Sequence, residues 1–351
     1  MPFNLNKLIR PHLIHLQPYS SARDEFKGIA DVYLDANENP YGSVGASAKY
    51  NRYPDPLQPK LKEKIAELKA CDSSQIFLGN GSDEPIDLLL RVFCEPEKDN
   101  IILLPPTYGM YQVSADINHV KVVNVPLSSD FQIQKQKVLD AIVPETKVIF
   151  FCSPNNPSGN SLKREDIIEI TNFFDGLVVV DEAYIDFSSQ KTFVADLKNY
   201  PNLVVLQTFS KAWGLAGIRL GMAFASPEII SILNKVKYPY NINTLTQQVA
   251  LKALQKNEIK NKMVSKIIKQ RNVLTEHLLN NQLVEKIYPT DANFILVKTP
   301  KGKEIYDSLV EKGIIVRDRS KVQLCEGCLR ITVGTEMENL ALLRAWSELK
   351  I

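Results

Sequence analysis

Lys211 lies in the run Thr208-Phe209-Ser210-Lys211-Ala212-Trp213-Gly214-Leu215-Ala216-Gly217-Ile218-Arg219-Leu220-Gly221, with a hydroxyl beside it and a second cation eight residues on. The run begins where an apolar stretch, Leu203 to Leu206, gives out, as a loop leaving the carboxyl end of a buried strand does. A lysine so placed can form a Schiff base with an aldehyde cofactor, and Ser210 and Arg219 can hold that cofactor's phosphate. Read alone, it is equally well explained as a solvated surface charge.

Two further segments tip that balance. Leu177 to Val180 is a short β-branched run of the kind that forms a fully buried parallel strand, and Asp181 stands at its carboxyl end, where open α/β sheets put their ligand chemistry. A buried carboxylate needs a cationic partner. The pyridinium nitrogen of pyridoxal phosphate would be one, and Tyr184, three residues on, could donate to the same ring's phenolic oxygen. The plain alternative for Asp181 is a cap on the following helix. The other segment, Cys152-Ser153-Pro154-Asn155-Asn156-Pro157-Ser158-Gly159, follows a strand-like run from Lys147 to Phe151. Its prolines stiffen the turn, so the Asn156 amide can be held against a cofactor ring, although ordinary turns use the same residues. Asn156, Asp181 and Lys211 at three successive strand ends are harder to dismiss than any one of them.

The elements that must position these groups are legible as a series. From about residue 72 to 224, apolar runs at Ile76 to Leu78, Ile101 to Leu104, Lys121 to Val125, Val148 to Phe151, Leu177 to Val180, Leu203 to Leu206 and Met222 to Ala225 alternate with helical stretches. That is a βαβ series, and it implies a mostly parallel seven-stranded sheet sandwiched by helices. From about Ser226 the texture changes to long helices, Leu245 to Ala253 and Asn257 to Asn280. Strand-like runs follow at Phe294 to Val297, Ile314 to Val316 and Leu329 to Val333, with a helix at Gly302 to Glu311. This predicts a smaller α+β unit. Gly79-Asn80-Gly81-Ser82-Asp83-Glu84-Pro85 reads as strand, turn and helix start; the free N–H groups of Ser82 and Asp83 would cradle an anion, or the helix is simply capped. No GxGxxG or GxxxxGK[ST] occurs, which counts against dinucleotide or P-loop nucleotide binding.

A chain of 351 residues suits a large domain plus a smaller one. With 44% hydrophobic and 23% charged residues and a net charge of +2, it has the composition of a soluble globular protein and gives no reason to invoke nucleic acid or an anionic membrane. No apolar run reaches the roughly 18 residues a spanning helix needs, and the N-terminus lacks a signal-peptide core. The five cysteines are scattered and odd in number, which predicts free thiols in a reducing, cytoplasmic setting. Cys325-Glu326-Gly327-Cys328 has the spacing of half a zinc site, but there is no second pair and the four histidines share no ligand spacing, so no metal is expected.

The Asn-Asn-Pro-Ser-Gly turn, the Asp-Glu-Ala-Tyr strand end and the Ser-Lys…Gly-Ile-Arg-Leu-Gly segment together resemble the fold-type I pyridoxal-phosphate aminotransferases. Leu34-Asp35-Ala36-Asn37-Glu38-Asn39-Pro40-Tyr41-Gly42, Asn51-Arg52-Tyr53-Pro54-Asp55 and Cys328-Leu329-Arg330-Ile331-Thr332-Val333-Gly334-Thr335 are similar to the histidinol-phosphate aminotransferases among them. The resemblance runs from Arg10 to Thr335. It implies pyridoxal 5'-phosphate as cofactor, transfer of an amino group between L-histidinol phosphate and 2-oxoglutarate, and a homodimer. It also implies a large domain over residues 31–245 and a small one made of 1–30 and 246–351.

By the same resemblance Tyr108 stacks on the pyridine ring, and the Tyr53 hydroxyl reaches the cofactor phosphate from the neighbouring subunit. Arg330 and Arg317 bind the acidic group of the substrate, first a phosphate and then the carboxylates of glutamate. Tyr19 and Asn293 face the substrate. Both arginines could instead be surface charges paired with Asp318 or Glu326, and Tyr108 a core tyrosine. Three other functions stay open on this scaffold: an aromatic amino acid aminotransferase, a decarboxylase of a phosphorylated amino acid, and a non-enzymatic regulatory domain. The lysine and its electron-sink partner speak against the last.

Overall fold

All seven expected runs pair into one sheet. The computed structural model describes residues 3–19, 30–46 and 50–349. Its strands are β1 (Ile76–Asn80), β2 (Asn100–Leu103), β3 (Lys121–Asn124), β4 (Thr146–Cys152), β5 (Leu177–Asp181), β6 (Leu203–Thr208) and β7 (Leu220–Phe224), in the order β1-β7-β6-β5-β4-β2-β3. The central strands are buried on both faces because successive side chains point to opposite sides. Ile149, Phe151, Val178, Val180 and Val205 pack with Ile65, Ile167 and Ile170 of the helices Pro59–Lys69 and Arg164–Phe173. Val148, Phe150, Val179, Val204 and Leu206 pack on the other face with Leu89, Phe93, Ala115 and Leu233. Those residues belong to the helices Asp83–Phe93, Met110–Ile117 and Pro227–Val236.

Only β7 runs against the rest, pairing antiparallel with both β1 and β6. A plain βαβ series does not anticipate this. Residues 209–219 contain only a short 3-10 turn, Ala216–Ile218, and no crossover helix, so the chain returns in the opposite direction. The loop so formed carries Lys211.

A second, antiparallel sheet is built from β8 (Lys286–Ile287), β9 (Phe294–Lys298), β10 (Arg317–Asp318) and β11 (Cys328–Thr332), in the order β10-β11-β9-β8. Its core joins Ile295, Val297, Leu329 and Ile331 to Leu274, Leu309, Leu342 and Trp346 of three covering helices. The strand expected at Ile314 to Val316 forms later, at Arg317. The Ile314 N–H is bonded to Leu309 O at 2.8 Å, which closes the helix Gly302–Glu311 and delays sheet pairing until Arg317 stands opposite Arg330.

The N-terminal segment departs from expectation in its described part. Ile9 and Leu13 pack with Phe93 and Ile230 against the large sheet, not with the second one. Arg10 N–H donates to Val92 O at 2.9 Å, and Lys235 Nζ donates to Ile14 O at 2.9 Å. Two apolar residues four apart on a short turn fit the groove between these helices. Among the described residues no helix is long and apolar enough to cross a membrane.

Candidate active site

A cavity of about 590 Å³ opens at the carboxyl ends of β4, β5 and β6 and is closed from the other side by β10 and β11. Eleven of the residues singled out from the sequence line it: Ser82, Asp83, Tyr108, Asn156, Asp181, Tyr184, Ser210, Lys211, Arg219, Arg317 and Arg330. Three do not. Tyr19 is 74% exposed, away from the cavity. Asn293 precedes β9 with its carbonyl accepting from Val333 N–H at 2.9 Å. Tyr53 is 51% exposed, stacks on Tyr240 at 4.5 Å and lines a separate cavity with Asn51, Arg52 and Asn243.

The floor is the end of β5. Asp181 is 2% exposed; its Oδ2 accepts from the Tyr111 hydroxyl at 2.6 Å and its Oδ1 from Ala183 N–H at 3.0 Å. No lysine, arginine or histidine forms an ion pair with it among the described residues. Burial pushes its pKa up, while the two hydrogen bonds pull the other way. A protonated ring nitrogen is the kind of partner this carboxylate lacks. Next to it the Tyr184 ring stands edge-on to Phe294 at 5.2 Å, and Lys211 Nζ lies 5.6 Å from the Tyr184 centroid. Confinement within the site, then repulsion from Arg330 and Arg219, pulls the Lys211 ammonium below its ordinary range, and Asp181 and Asp83 partly oppose this. Solvent still reaches the side chain through the cavity mouth.

The phosphate-sized end is a junction of two strands. Gly81 N–H donates to Arg219 O at 2.8 Å, lacing the end of β1 to the start of β7. Any Cβ on Gly221 would lie 2.2 Å from Ser82 N, and one on Gly81 (φ +71°) would lie 2.7 Å from Arg219 Nη2. Glycines therefore let the helix start at Asp83 and the Arg219 guanidinium converge. First-turn N–H groups have no intrahelical acceptor, so Ser82 and Asp83 offer donors there, beside Ser210 and Arg219. Arg219 Nη2 meets Asp83 Oδ2 at 3.3 Å, and Tyr108 donates to Asp83 Oδ1 at 3.1 Å.

The opposite wall is cationic. Arg317 and Arg330 are register partners on β10 and β11. Arg319, which the sequence reading missed, joins them in the cavity. Period-two alternation along Arg317-Asp318-Arg319 was the available signal, since it puts both arginines on one face. Arg330 Nη1 donates to Asn156 Oδ1. Its Nε and that of Arg319 are buried without a partner, and none of the three arginines pairs with a carboxylate among the described residues. Burial first, then their mutual repulsion, lowers the pKa of Arg330 and Arg319. Asn156 is held by a stiff turn: Asn155 Nδ2 donates to Pro106 O at 2.9 Å and to Ser158 Oγ at 2.7 Å, and Gly159 N–H to Asn155 O at 2.8 Å.

The cavity volume, the unpaired buried carboxylate, the lysine and the glycine-lined anion cradle fit a phosphorylated pyridine aldehyde. Sequence comparison agrees: the chain matches the family Aminotransferase class I and II over residues 22–345. The chain belongs to that family. A histidinol-phosphate aminotransferase of Cytophaga hutchinsonii is 57% identical over 343 residues, 98% of each chain. Among solved structures, the histidinol-phosphate aminotransferase of Clostridium acetobutylicum superposes with a TM-score of 0.79 at 25% identity, covering 85% of this chain and 90% of that one. The corresponding enzyme of Sinorhizobium meliloti, solved with pyridoxal-5'-phosphate, superposes with a TM-score of 0.80 at 23% identity over 89% of both, a likeness of fold.

Proposed function

We propose that this chain is a pyridoxal-phosphate-dependent aminotransferase that moves an amino group between L-histidinol phosphate and 2-oxoglutarate, a step of histidine biosynthesis. The observation that carries the substrate is the wall of three arginines, without carboxylate partners among the described residues, that lines the same cavity as Lys211. The 57% identical relative bears the name of that activity.

When bound, pyridoxal phosphate supplies an electrophilic carbon and a ring that accepts the electron pair released at the substrate Cα. The chain's own groups do the rest. Asp181 keeps a proton on the ring nitrogen, so that the ring can take up negative charge. Lys211 Nζ would take the proton from the substrate Cα and later return it, serving as base and then acid. Its lowered pKa favours the neutral amine that this role needs. Tyr184 and Asn156 hold the phenolic oxygen, and Tyr108 stacks on the ring. Ser82, Asp83, Ser210 and Arg219 would hold the cofactor phosphate. Arg317 and Arg330, with Arg319 beside them, clamp the substrate phosphate and then the carboxylates of glutamate.

The same reading makes the enzyme a cytoplasmic homodimer of two-unit subunits, divided near residue 245. Tyr53, which stands outside its own subunit's cavity, reaches the partner's cofactor phosphate. Exposed Leu34, Tyr41, Val44 and Tyr238 supply apolar surface for such an interface. All five cysteines are free thiols, which suits a reducing compartment. Tyr19 and Asn293 face the substrate only in the assembled, liganded enzyme.

The test is a substrate panel with 2-oxoglutarate as acceptor: histidinol phosphate, histidinol, phenylalanine and phosphothreonine. Histidinol phosphate should be used best by a wide margin. Equal use of histidinol would remove the need for a phosphate clamp and favour an aromatic aminotransferase, and release of carbon dioxide from phosphothreonine would make it a decarboxylase.

A further inference from the structure

Tyr111 does not line the cavity, and nothing in its sequence context marks it beyond its position three residues after Tyr108. Its side chain is fully buried, and its hydroxyl lies 2.6 Å from Asp181 Oδ2. The ring is packed on two sides, and the Cys152 thiol is the other side chain beside its hydroxyl. That ring is stacked on Phe150 of β4 at 4.7 Å and 19°, and it meets the Tyr108 ring edge-on at 5.5 Å and 85°. Helix Met110–Ile117, on which Tyr111 is the second residue, packs by Ala115 into the same core as Phe150. The hydroxyl is therefore fixed by packing from two elements other than β5.

We propose that Tyr111 is a positioning residue that holds the Asp181 carboxylate ionised and correctly turned toward the nitrogen of the cofactor ring. The proposal rests on the reading of Asp181 as the ring-nitrogen partner. An ionised carboxylate at this depth needs donors, and it has two within the chain: the Tyr111 hydroxyl on Oδ2 and Ala183 N–H on Oδ1. The backbone donor is set by the turn after β5 and would be present whatever the side chains. The tyrosine is the donor that sequence can change. It stays a donor, because burial and the neighbouring Asp181 charge push its own ionisation well above the ordinary phenol range. With one position on Oδ2 engaged from the helix side and one on Oδ1 engaged by the turn, the carboxylate plane is held from both ends while each oxygen keeps acceptor capacity for the ring nitrogen. Tyr108 and Tyr111 then divide the work of one short segment: one ring stacks on the cofactor, and the other's hydroxyl supports the charge that polarises it.

The test is equilibrium binding to the apoprotein of two ligands, pyridoxal phosphate and its carbocyclic isostere, in which CH replaces the ring nitrogen. Both carry the aldehyde for Lys211 and the phosphate for the cradle; only the first can form the ion pair. The wild-type protein should prefer pyridoxal phosphate. Tyr111→Phe, which keeps the ring and its stacking, should weaken pyridoxal phosphate about ten-fold while leaving the isostere unchanged, so the preference shrinks. A variant that weakens both ligands alike has merely loosened the fold, and one that weakens neither shows the hydroxyl to be idle; either result overturns the proposal. If the wild-type protein itself does not discriminate, the assignment of Asp181 fails first, and that outcome is distinct from the other two.

Discussion

The two walls of the cavity are built on opposite principles. On the large-sheet side the two carboxylates are held by donors from the chain itself: Arg219 and Tyr108 converge on Asp83, and Tyr111 and a backbone N–H hold Asp181. On the small-sheet side three guanidiniums crowd together, and among the described residues none of them forms an ion pair with a carboxylate and the buried Nε atoms of Arg330 and Arg319 find no acceptor. The first wall is preorganised for a group that stays. The second is left electrostatically unsatisfied for a group that comes and goes, and an anion entering there relieves repulsion as well as gaining hydrogen bonds. Substitutions on the resident side should therefore abolish chemistry, whereas those on the exchanging side should redistribute specificity.

The largest effect expected is at Lys211. Lys211→Ala should lose nearly all turnover yet still take up some cofactor through the phosphate cradle. In the wild-type protein borohydride should fix the cofactor on Lys211, as peptide mapping would reveal, and a label on any other lysine ends the assignment. Asp181→Asn comes next. It keeps the shape and the hydrogen bond from Ala183 but cannot hold a proton on the ring, so the Cα proton-abstraction step should slow by about 3 kcal/mol in barrier, the order of other preorganised electrostatic contributions. Near-normal single-turnover rates would return Asp181 to the role of a turn cap.

The exchanging wall should respond more mildly and more selectively. Each charge-assisted contact contributes typically ~1.5–3 kcal/mol. Arg317→Ala should cost that much in kcat/KM for histidinol phosphate and far less for an unphosphorylated amine. Arg330→Ala should damage both half-reactions, since it also anchors Asn156. If Arg317→Ala depressed every substrate equally, the contrast between the walls would collapse. Tyr53 sharpens it from outside the subunit. At limiting cofactor Tyr53→Phe should lose about 1 kcal/mol of cofactor affinity. Mixing it with Lys211→Ala should restore some activity, because one hybrid site carries both native groups. With subunit exchange demonstrated, absence of rescue would place Tyr53 outside the partner's site.

How much of this was legible in the sequence divides along the same line. Asp181, Asn156 and Lys211 could be read because each follows an apolar run, and a strand end is a one-dimensional signal. The helix boundary at Gly302 and the positions along the chain of all seven large-sheet strands were visible for the same reason. What escaped depends on contacts between distant segments. The reversal of β7 depends on the missing crossover helix, and the docking of Ile9 and Leu13 onto the large unit on a groove no local pattern describes. Tyr111 meets Asp181 across 70 residues, and Arg319 enters the cavity only because β10 is two residues long and pairs at Arg317. Tyr53 cannot be judged within one chain, since the group it would touch belongs to another.

The smallest effect is the most direct probe of coupling between the walls. Arg330 belongs to the exchanging side, yet after burial it is the strongest influence lowering the ammonium pKa of Lys211; Asp181, on the resident side, raises it. The neutral amine is the form that attacks the cofactor aldehyde, so the rate of cofactor loading onto the apoprotein should rise with pH and level off once Lys211 has lost its proton. Because the folded-state pKa is depressed, that plateau should begin below the ordinary lysine range. Arg330→Ala removes a repelling cation, raises the pKa and should move the profile to higher pH. Asp181→Asn removes an attracting anion, lowers the pKa and should move it to lower pH. Opposite displacements of the two profiles are the signature that both walls act on one amine. Displacements in the same direction, or none, would mean that Lys211 is set by burial alone, and that an anion bound by the arginines has no electrostatic route to the chemistry opposite.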